Sequence, residues 1–372
     1  MAENKARIYS AKKTPLHDLL PMETPISAHI DISSLCNYRC SFCFQADTKG
    51  MKAVGLKRGF MDLSLFKKIV DDLADFEAPL KKIKIGNHGE PTLHPELAKC
   101  IEYARSSGHA ETVELFTNAS KLTPTLNEGL VASGLQRINV SLEGLSNERY
   151  EQVAGVKQEF QDIIDGVKDL YKKKCAVSSD LVIYVKVVDE AHSLRGKSEL
   201  VFSLSEKERS FFYETFQHHC DEILIEKVVP QWAETQLDRQ NTNTGTGMYG
   251  QKTQEWKDIC PFTFMYLHFN CDGTVSPCTL DWPRKVVVGN VNHESVYSIW
   301  HGKKLRDLRV AQVAGERTCV DFCSSCSAPM VCVEESLDEH KEAVISRYAV
   351  STEELLLSDN MWVQSNPIIA SS

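Results

Sequence analysis

Three cysteines, Cys36, Cys40 and Cys43, form a Cys-x3-Cys-x2-Cys run in the stretch Asp31-Ile32-Ser33-Ser34-Leu35-Cys36-Asn37-Tyr38-Arg39-Cys40-Ser41-Phe42-Cys43-Phe44. Thiolates this close can converge on one metal centre, and an iron–sulfur cube usually takes four Cys ligands. The local run supplies only three. Either one corner of a cube stays open, or a distant residue such as a His completes a zinc site. An open coordination position is where a metal centre does chemistry rather than structure. The run follows directly on a candidate strand, whereas zinc fingers and ribbons are built on small loops, and this placement favours the open cube.

The other cysteines sharpen that reading. The chain of 372 residues has 13 Cys, of which seven lie at 260–332 and only Cys100, Cys175 and Cys220 lie between the two groups. Those three read as small buried hydrophobes. No run of 18 or more apolar residues occurs, and Met1 to Leu20 carries Lys5, Arg7, Lys12 and Lys13 with no apolar stretch behind them. Neither a membrane span nor a signal peptide is indicated, and the cytoplasm is the expected compartment. Clustered cysteines in a reducing compartment point to metal rather than to disulfides. The net charge of −9 offers no broad basic field, so nucleic acid is not an expected partner.

From residue 26 to 230 short β-branched runs alternate with longer amphipathic ones. Strands are expected at Ile26–Ser33, Lys81–Gly86, Thr112–Thr117, Arg137–Leu142, Leu181–Val188 and Glu222–Val229. Helices are expected near 62–77, 95–107, 122–133, 146–173 and 198–219, the first on the stripe Leu65, Ile69, Leu73 and Phe76. This alternation argues for parallel strands with right-handed crossovers. Six strands fall short of the eight of a full α/β barrel, so the expected class is α/β, a partial (β/α)6 TIM-like barrel, with ligands at the carboxyl ends of its strands. The polar run Asn241-Thr242-Asn243-Thr244-Gly245-Thr246-Gly247 is the best linker candidate. The expected division is an extension at 1–27, a core at 28–230, a linker at 231–259, a Cys-rich α+β domain at 260–335 and a tail at 336–372, with a short helical piece at Glu353–Leu357.

The Cys36–Cys43 run, with aromatic Phe42 just before the third cysteine, resembles the signature of radical S-adenosylmethionine (SAM) enzymes. In that family the three Cys bind a [4Fe–4S] cluster whose fourth iron is chelated by SAM. One electron then cleaves the sulfonium to a 5′-deoxyadenosyl radical, which abstracts a hydrogen atom from substrate. Gly86-Asn87-His88-Gly89-Glu90-Pro91 resembles the family's Gly-Gly-Glu-Pro element, which implies that Gly89, Glu90 and Pro91 hold the cofactor's ammonium; His88 stands where that motif usually has Gly. Thr117-Asn118 and Ser141-Leu142-Glu143-Gly144 resemble the family's polar groups for the ribose and carboxylate, implicating Asn118 and Ser141. Lys186, inside an otherwise apolar strand, either meets an anionic ligand in the lumen or lies at an edge.

Cys260 and Cys278 flank an Asp272-Gly273 turn between apolar runs, a strong hairpin signal that brings them together. Cys323-Ser324-Ser325-Cys326 adds a Cys-x2-Cys knuckle, and the four make a closed thiolate site suited to zinc or [4Fe–4S]. These residues, with Val288-Gly289-Asn290-Val291 and Ser295-Val296-Tyr297-Ser298-Ile299-Trp300, resemble the SPASM/twitch extensions of the same family, which implies an auxiliary [4Fe–4S] cluster. The two-cluster form has a further Cys four positions after Cys332, but position 336 is Ser. One auxiliary cluster, on Cys260, Cys278, Cys323 and Cys326, is therefore expected. Cys271, Cys319 and Cys332 stay open between substitute ligands, a partial second site, hydrogen-atom donors and inert thiols.

The resemblance implies a radical SAM enzyme with a flavodoxin- or ferredoxin-type electron donor. A small molecule such as a sugar or alcohol, oxidised or epimerised, is the favoured substrate, because only about 28 residues precede the first strand and peptide-modifying relatives often carry a longer N-terminal domain. A peptide or protein substrate is the alternative, and a non-catalytic zinc module the reading from another class.

Overall fold

The computed structural model describes residues 1–6, 14–189, 191–192, 200–229, 231–232, 247–252, 256–333 and 335–348. The linker residues 241–246 and the helical piece at Glu353–Leu357 lie outside them. In chain order the strands are β1 (Glu3–Asn4), β2 (Ser27–Ile30), β3 (Leu80–Ile85), β4 (Ala110–Thr117), β5 (Arg137–Leu142), β6 (Val182–Asp189), β7 (Ala191–His192), β8 (Leu200–Phe202), β9 (Glu222–Lys227), β10 (Tyr266–Phe269), β11 (Thr274–Ser276) and β12 (Gly289–Asn290). β7 and β8 pair with each other; the remainder form one sheet in the order β1-β9-β6-β5-β4-β3-β2-β10-β11-β12.

The six expected strands are β2 to β6 and β9, each parallel to the next. Helices Leu63–Asp72, Leu97–Ser107, Pro124–Ala132, Phe160–Ala176 and Glu206–Phe216 lie in the successive crossovers. Side chains alternate across a strand, and the two faces of this sheet differ in kind. Ile83, Ile85, Val113, Leu115, Ile138, Val140, Ile183 and Val185 share one core with helix residues such as Phe66, Ile69, Ile101, Leu130, Ile163 and Val167. The opposite face carries Lys84 beside Glu114, Glu114 beside Arg137, Asn139 beside Tyr184 and Ser141 beside Lys186. Paired charges make that face tolerable: Lys82 lies 2.5 Å from Glu114, and Lys186 lies 2.5 Å from Glu226, which also accepts from Tyr184 Oη. Lys186 thus belongs to a polar inner face and sits on a central strand.

Three helices depart from their expected extents. The one expected near 198–219 begins only at Glu206, where Ser205 and Glu208 form a capping box, and β8 (Leu200–Phe202) occupies its expected start. The stripe of helix Leu63–Asp72 turns so that Phe66, Ile69 and Val70 are buried while Leu65 is half-buried, and the helix passes into a 3-10 turn at Leu73–Asp75. The expected helix over 146–173 is two, Asn147–Val153 and Phe160–Ala176, separated at Gly155, whose φ is +65°. The break frees the last carbonyls of the shorter helix, and those of Val153 and Ala154 accept from the amides of Ser41 and Arg39. The second interruption in the pattern therefore serves the cysteine loop.

The Cys-rich region continues the core sheet. β10 pairs parallel to β2 over four residues, and β11 returns antiparallel to β10 through the Asp272-Gly273 turn, where Gly273 has φ +89°. The result is α/β: a partial (β/α)6 barrel followed by a small Cys-rich α+β unit that shares its sheet. Among the described residues, no helix is long and apolar enough to cross a membrane.

Candidate active site and metal centres

The loop after β2 carries the first three thiols. Leu35 amide bonds to Ser33 Oγ, Ser34 Oγ exchanges bonds with Gly59, and the Arg39 guanidinium closes on the carbonyls of Cys36 and Tyr38 at 2.7 Å. Cys40 is buried and Cys36 and Cys43 are half-buried. Burial pushes the Cys36 thiol up to about 11 and the Cys43 thiol up to about 12, and the neighbouring thiols push in the same direction for Cys40 and Cys43. Three sulfurs that resist ionisation because they are dry and close together are the donor set a metal cation stabilises.

The turn after β3 meets that loop. A side chain at Gly89 would lie 2.2 Å from the Ser33 carbonyl oxygen, so only glycine lets the two backbones touch. The Glu90 amide donates to the Leu35 carbonyl at 2.7 Å. Pro91 begins a 3-10 turn behind it. Glu90 is buried; its Oε1 accepts from Thr92 and Thr117, and its Oε2 accepts from the Asn118 amide at 2.7 Å. Burial raises its carboxyl above the usual range against the pull of those donors. Asn118 Nδ2 donates to Asn37 Oδ1 at 3.0 Å and approaches Cys36 Sγ at 4.0 Å. Cys36, Glu90 and Asn118 thus belong to one network at the carboxyl ends of β2, β3 and β4. Ser141 is half-buried beside Lys186 on the inner face, near the end of β5. Glu143, just beyond, is pushed up to about 7 by burial, opposed by Lys186. Phe42 is half-buried, whereas Phe44 is fully buried and stacks on Trp282 at 5.3 Å.

His88 does not distort the turn: the left-handed position is Gly86, with φ +88°. His88 Nδ1 and His268 Nε2 lie 3.1 and 3.0 Å from Asp31 Oδ2, while Asp31 Oδ1 accepts from the amides of Asn87 and His88. His88 Nε2 contacts the Thr279 carbonyl, next to Cys278. This buried Asp–His–His group joins the β2 and β3 ends to β10. Asp31 and His268 carry no local signal that distinguishes them, and sequence reading passed over them.

The second thiol group is equally compact. Cys260, Cys278, Cys323 and Cys326 line one small cavity, with Asp281 and Arg317 also in its wall. Burial raises all four thiols, Cys326 to about 11, and the neighbouring thiols add to this in each of Cys278, Cys323 and Cys326. The donor set is soft and suits an iron–sulfur cluster. The three remaining cysteines of this region lie apart from that set. Cys271 Sγ contacts Ser34 Oγ at 3.3 Å, Cys332 Sγ faces Gln231 Oε1 at 3.9 Å, and Cys319 is exposed.

Residues 30–193 match the radical SAM superfamily, and residues 260–327 match an iron-sulfur cluster-binding domain, SPASM. Over 142 residues the chain is 30% identical to the AdoMet-dependent heme synthase of Methanosarcina barkeri, a stretch covering 38% of each protein. The chain thus spans well under half the length of that relative. It is 22% identical to the S-adenosyl-L-methionine-dependent 2-deoxy-scyllo-inosamine dehydrogenase of Niallia circulans over 83% of this chain and 95% of that one. Among solved structures, BtrN in complex with AdoMet and 2-DOIA superposes with a TM-score of 0.51 at 19% identity, covering 84% of this chain and 97% of that chain, a likeness of fold.

Proposed function

The chain belongs to the radical SAM superfamily, and from that premise we propose that it oxidises a small hydroxylated molecule, a sugar, amino sugar or cyclitol, by hydrogen-atom abstraction. When bound, SAM on a [4Fe–4S] cluster supplies a one-electron cleavage that yields a hydrogen-abstracting carbon radical, and an auxiliary cluster supplies an electron acceptor. In this reading Cys36, Cys40 and Cys43 hold the first cluster, and Cys260, Cys278, Cys323 and Cys326 hold the second. Among the described residues Glu90 Oε2 bonds only the Asn118 amide, which leaves it a lone pair for an ammonium. Gly89 lets the turn press against the cysteine loop, and Asn118 ties Glu90 to Asn37 beside the first thiol. Lys186 and Ser141 on the inner face offer a cation and a hydroxyl to polar substituents.

The observation that carries the reading is a four-thiolate cavity in the same molecule as a separate three-thiolate loop. Alcohol oxidation removes a hydrogen atom, a proton and a further electron, so it needs an acceptor besides the one that starts the reaction. The near full-length match to a dehydrogenase of an aminocyclitol supports the substrate class. A flavodoxin- or ferredoxin-type donor and a cytoplasmic setting belong to the same reading, in keeping with cysteines gathered in two metal-type groups.

Anaerobic protein reconstituted with iron and sulfide is to be mixed with SAM, dithionite and amino sugars or cyclitols carrying deuterium at the carbinol carbons. The expected outcome is deuterium in 5′-deoxyadenosine together with a ketone product. Turnover of SAM with deuterium drawn only from labelled peptides would overturn the small-molecule reading.

A further inference from the structure

Arg317 is 1% exposed in the wall of the four-cysteine cavity. Its Nη1 donates to the Lys257 carbonyl at 2.7 Å and lies 3.8 Å from Met330 Sδ; its Nη2 donates to the Cys326 carbonyl. The guanidinium carbon lies 4.1 Å from the centre of the Trp256 ring, and among the described residues Nε has no hydrogen-bond partner. Every one of these neighbours is neutral. Among the described residues no carboxylate pairs with Arg317, and an isolated buried cation is costly unless something nearby supplies the opposite charge. The anionic chemistry at this place is the thiolate set together with Asp281, whose carboxyl burial pushes up to about 7 and whose oxygens accept from the amides of Lys285 and Val286 rather than from Arg317.

We propose that Arg317 is the resident counter-charge of the auxiliary cluster and raises its reduction potential. A four-thiolate [4Fe–4S] centre carries net negative charge that grows by one unit when it accepts an electron. A fixed, dry cation in its wall therefore favours the reduced form, and Arg never gives up its proton to escape the burden. The consequence for the protein is a better electron acceptor at the position where the proposed oxidation needs one. The inference rests on the four cysteines holding the auxiliary cluster, and is independent of the substrate class.

The test uses the full chain with Cys36, Cys40 and Cys43 replaced by Ala, so that only the auxiliary cluster contributes to an EPR-monitored redox titration. R317Q is expected to lower the midpoint so that the reduced-to-oxidised ratio at fixed poise falls about tenfold, ~59 mV for one electron. R317K, which keeps the charge, is expected to stay near the parent. An R317Q protein with full iron content and an unchanged midpoint overturns the proposal, as does an R317K shift equal to that of R317Q. Should R317Q lose its iron, M330E, which sets a carboxylate beside the intact guanidinium, is read against M330Q: a lower midpoint in M330E supports the proposal and equal midpoints overturn it. Absence of these irons from the parent protein would instead defeat the four-cysteine site itself.

Discussion

A methyl group on Gly89 would sit 2.2 Å from the Ser33 carbonyl oxygen and 2.6 Å from that of Leu35, both backbone atoms with no freedom to step aside. Gly89→Ala is therefore expected to separate the turn after β3 from the cysteine loop, at a cost of about 1–3 kcal/mol. Loss of SAM binding by calorimetry, with Gly59→Ala as a control that meets nothing within 4 Å, checks it. Asp31 offers a pH test. Burial alone would raise its carboxyl, but His268 and His88 with the His88 amide outweigh that and hold it at about 2, below the model-peptide value of 3.8. A depressed folded pKa contributes stability that is present above the unfolded value and lost as pH falls through the folded one. Iron-free protein is thus expected to lose about 2 kcal/mol from this group between pH 4 and pH 2. Urea unfolding of wild type and Asp31→Asn across that window should show their difference shrinking; a constant difference refutes it. The cysteines were legible from spacing, and Glu90 and Asn118 from a motif, but Asp31, His268 and Arg317 act through partners far away in the chain and leave no local pattern.

The strands were the most legible elements, because β-branched runs between turn residues are a period-two signal that tertiary contacts reinforce. β5 runs over Arg137–Leu142 as expected, and the other five differ at their ends. The missed break between Asn147–Val153 and Phe160–Ala176 has a physical cause: Tyr150, Val153, Phe160, Ile163 and Val167 are all buried, so the apolar spacing runs on while the backbone does not. Gly155 makes the break, in the left-handed position that follows a helix end. Gly155→Ala is expected to cost about 1 kcal/mol and to weaken iron retention, since the neighbouring Val153 and Ala154 carbonyls hold Ser41 and Arg39. Gly129→Ala, in the interior of helix Pro124–Ala132 with only Ala98 Cβ nearby at 3.6 Å, should instead stabilise the protein by about 0.5–1 kcal/mol. Thermal unfolding of the two variants should move in opposite directions; movement in the same direction would refute the distinction.

At the scale of the whole molecule, the sheet decides how the two halves depend on each other. β10 lies 239 positions after β2 in register, Leu267 beside Ala28, and no local feature announces a parallel pairing over that distance. Without β10, β2 becomes the open edge of a parallel sheet, and parallel sheets are rarely stable with a bare edge. The same loss uncovers Asp31, whose carboxylate is held in part by His268 from β10. Leu267 and Phe269 are buried against the core, and each contributes about 1.5–3 kcal/mol of apolar burial. A chain ended after Lys252 is thus expected to aggregate or to unfold without a cooperative transition, and to bind no SAM, although its three-cysteine loop is intact. Size-exclusion chromatography and denaturant unfolding of that truncation decide the matter. A monodisperse, cooperatively unfolding product that still binds SAM would mean that the Cys-rich region is an appendage, and that the core closes its own edge without it.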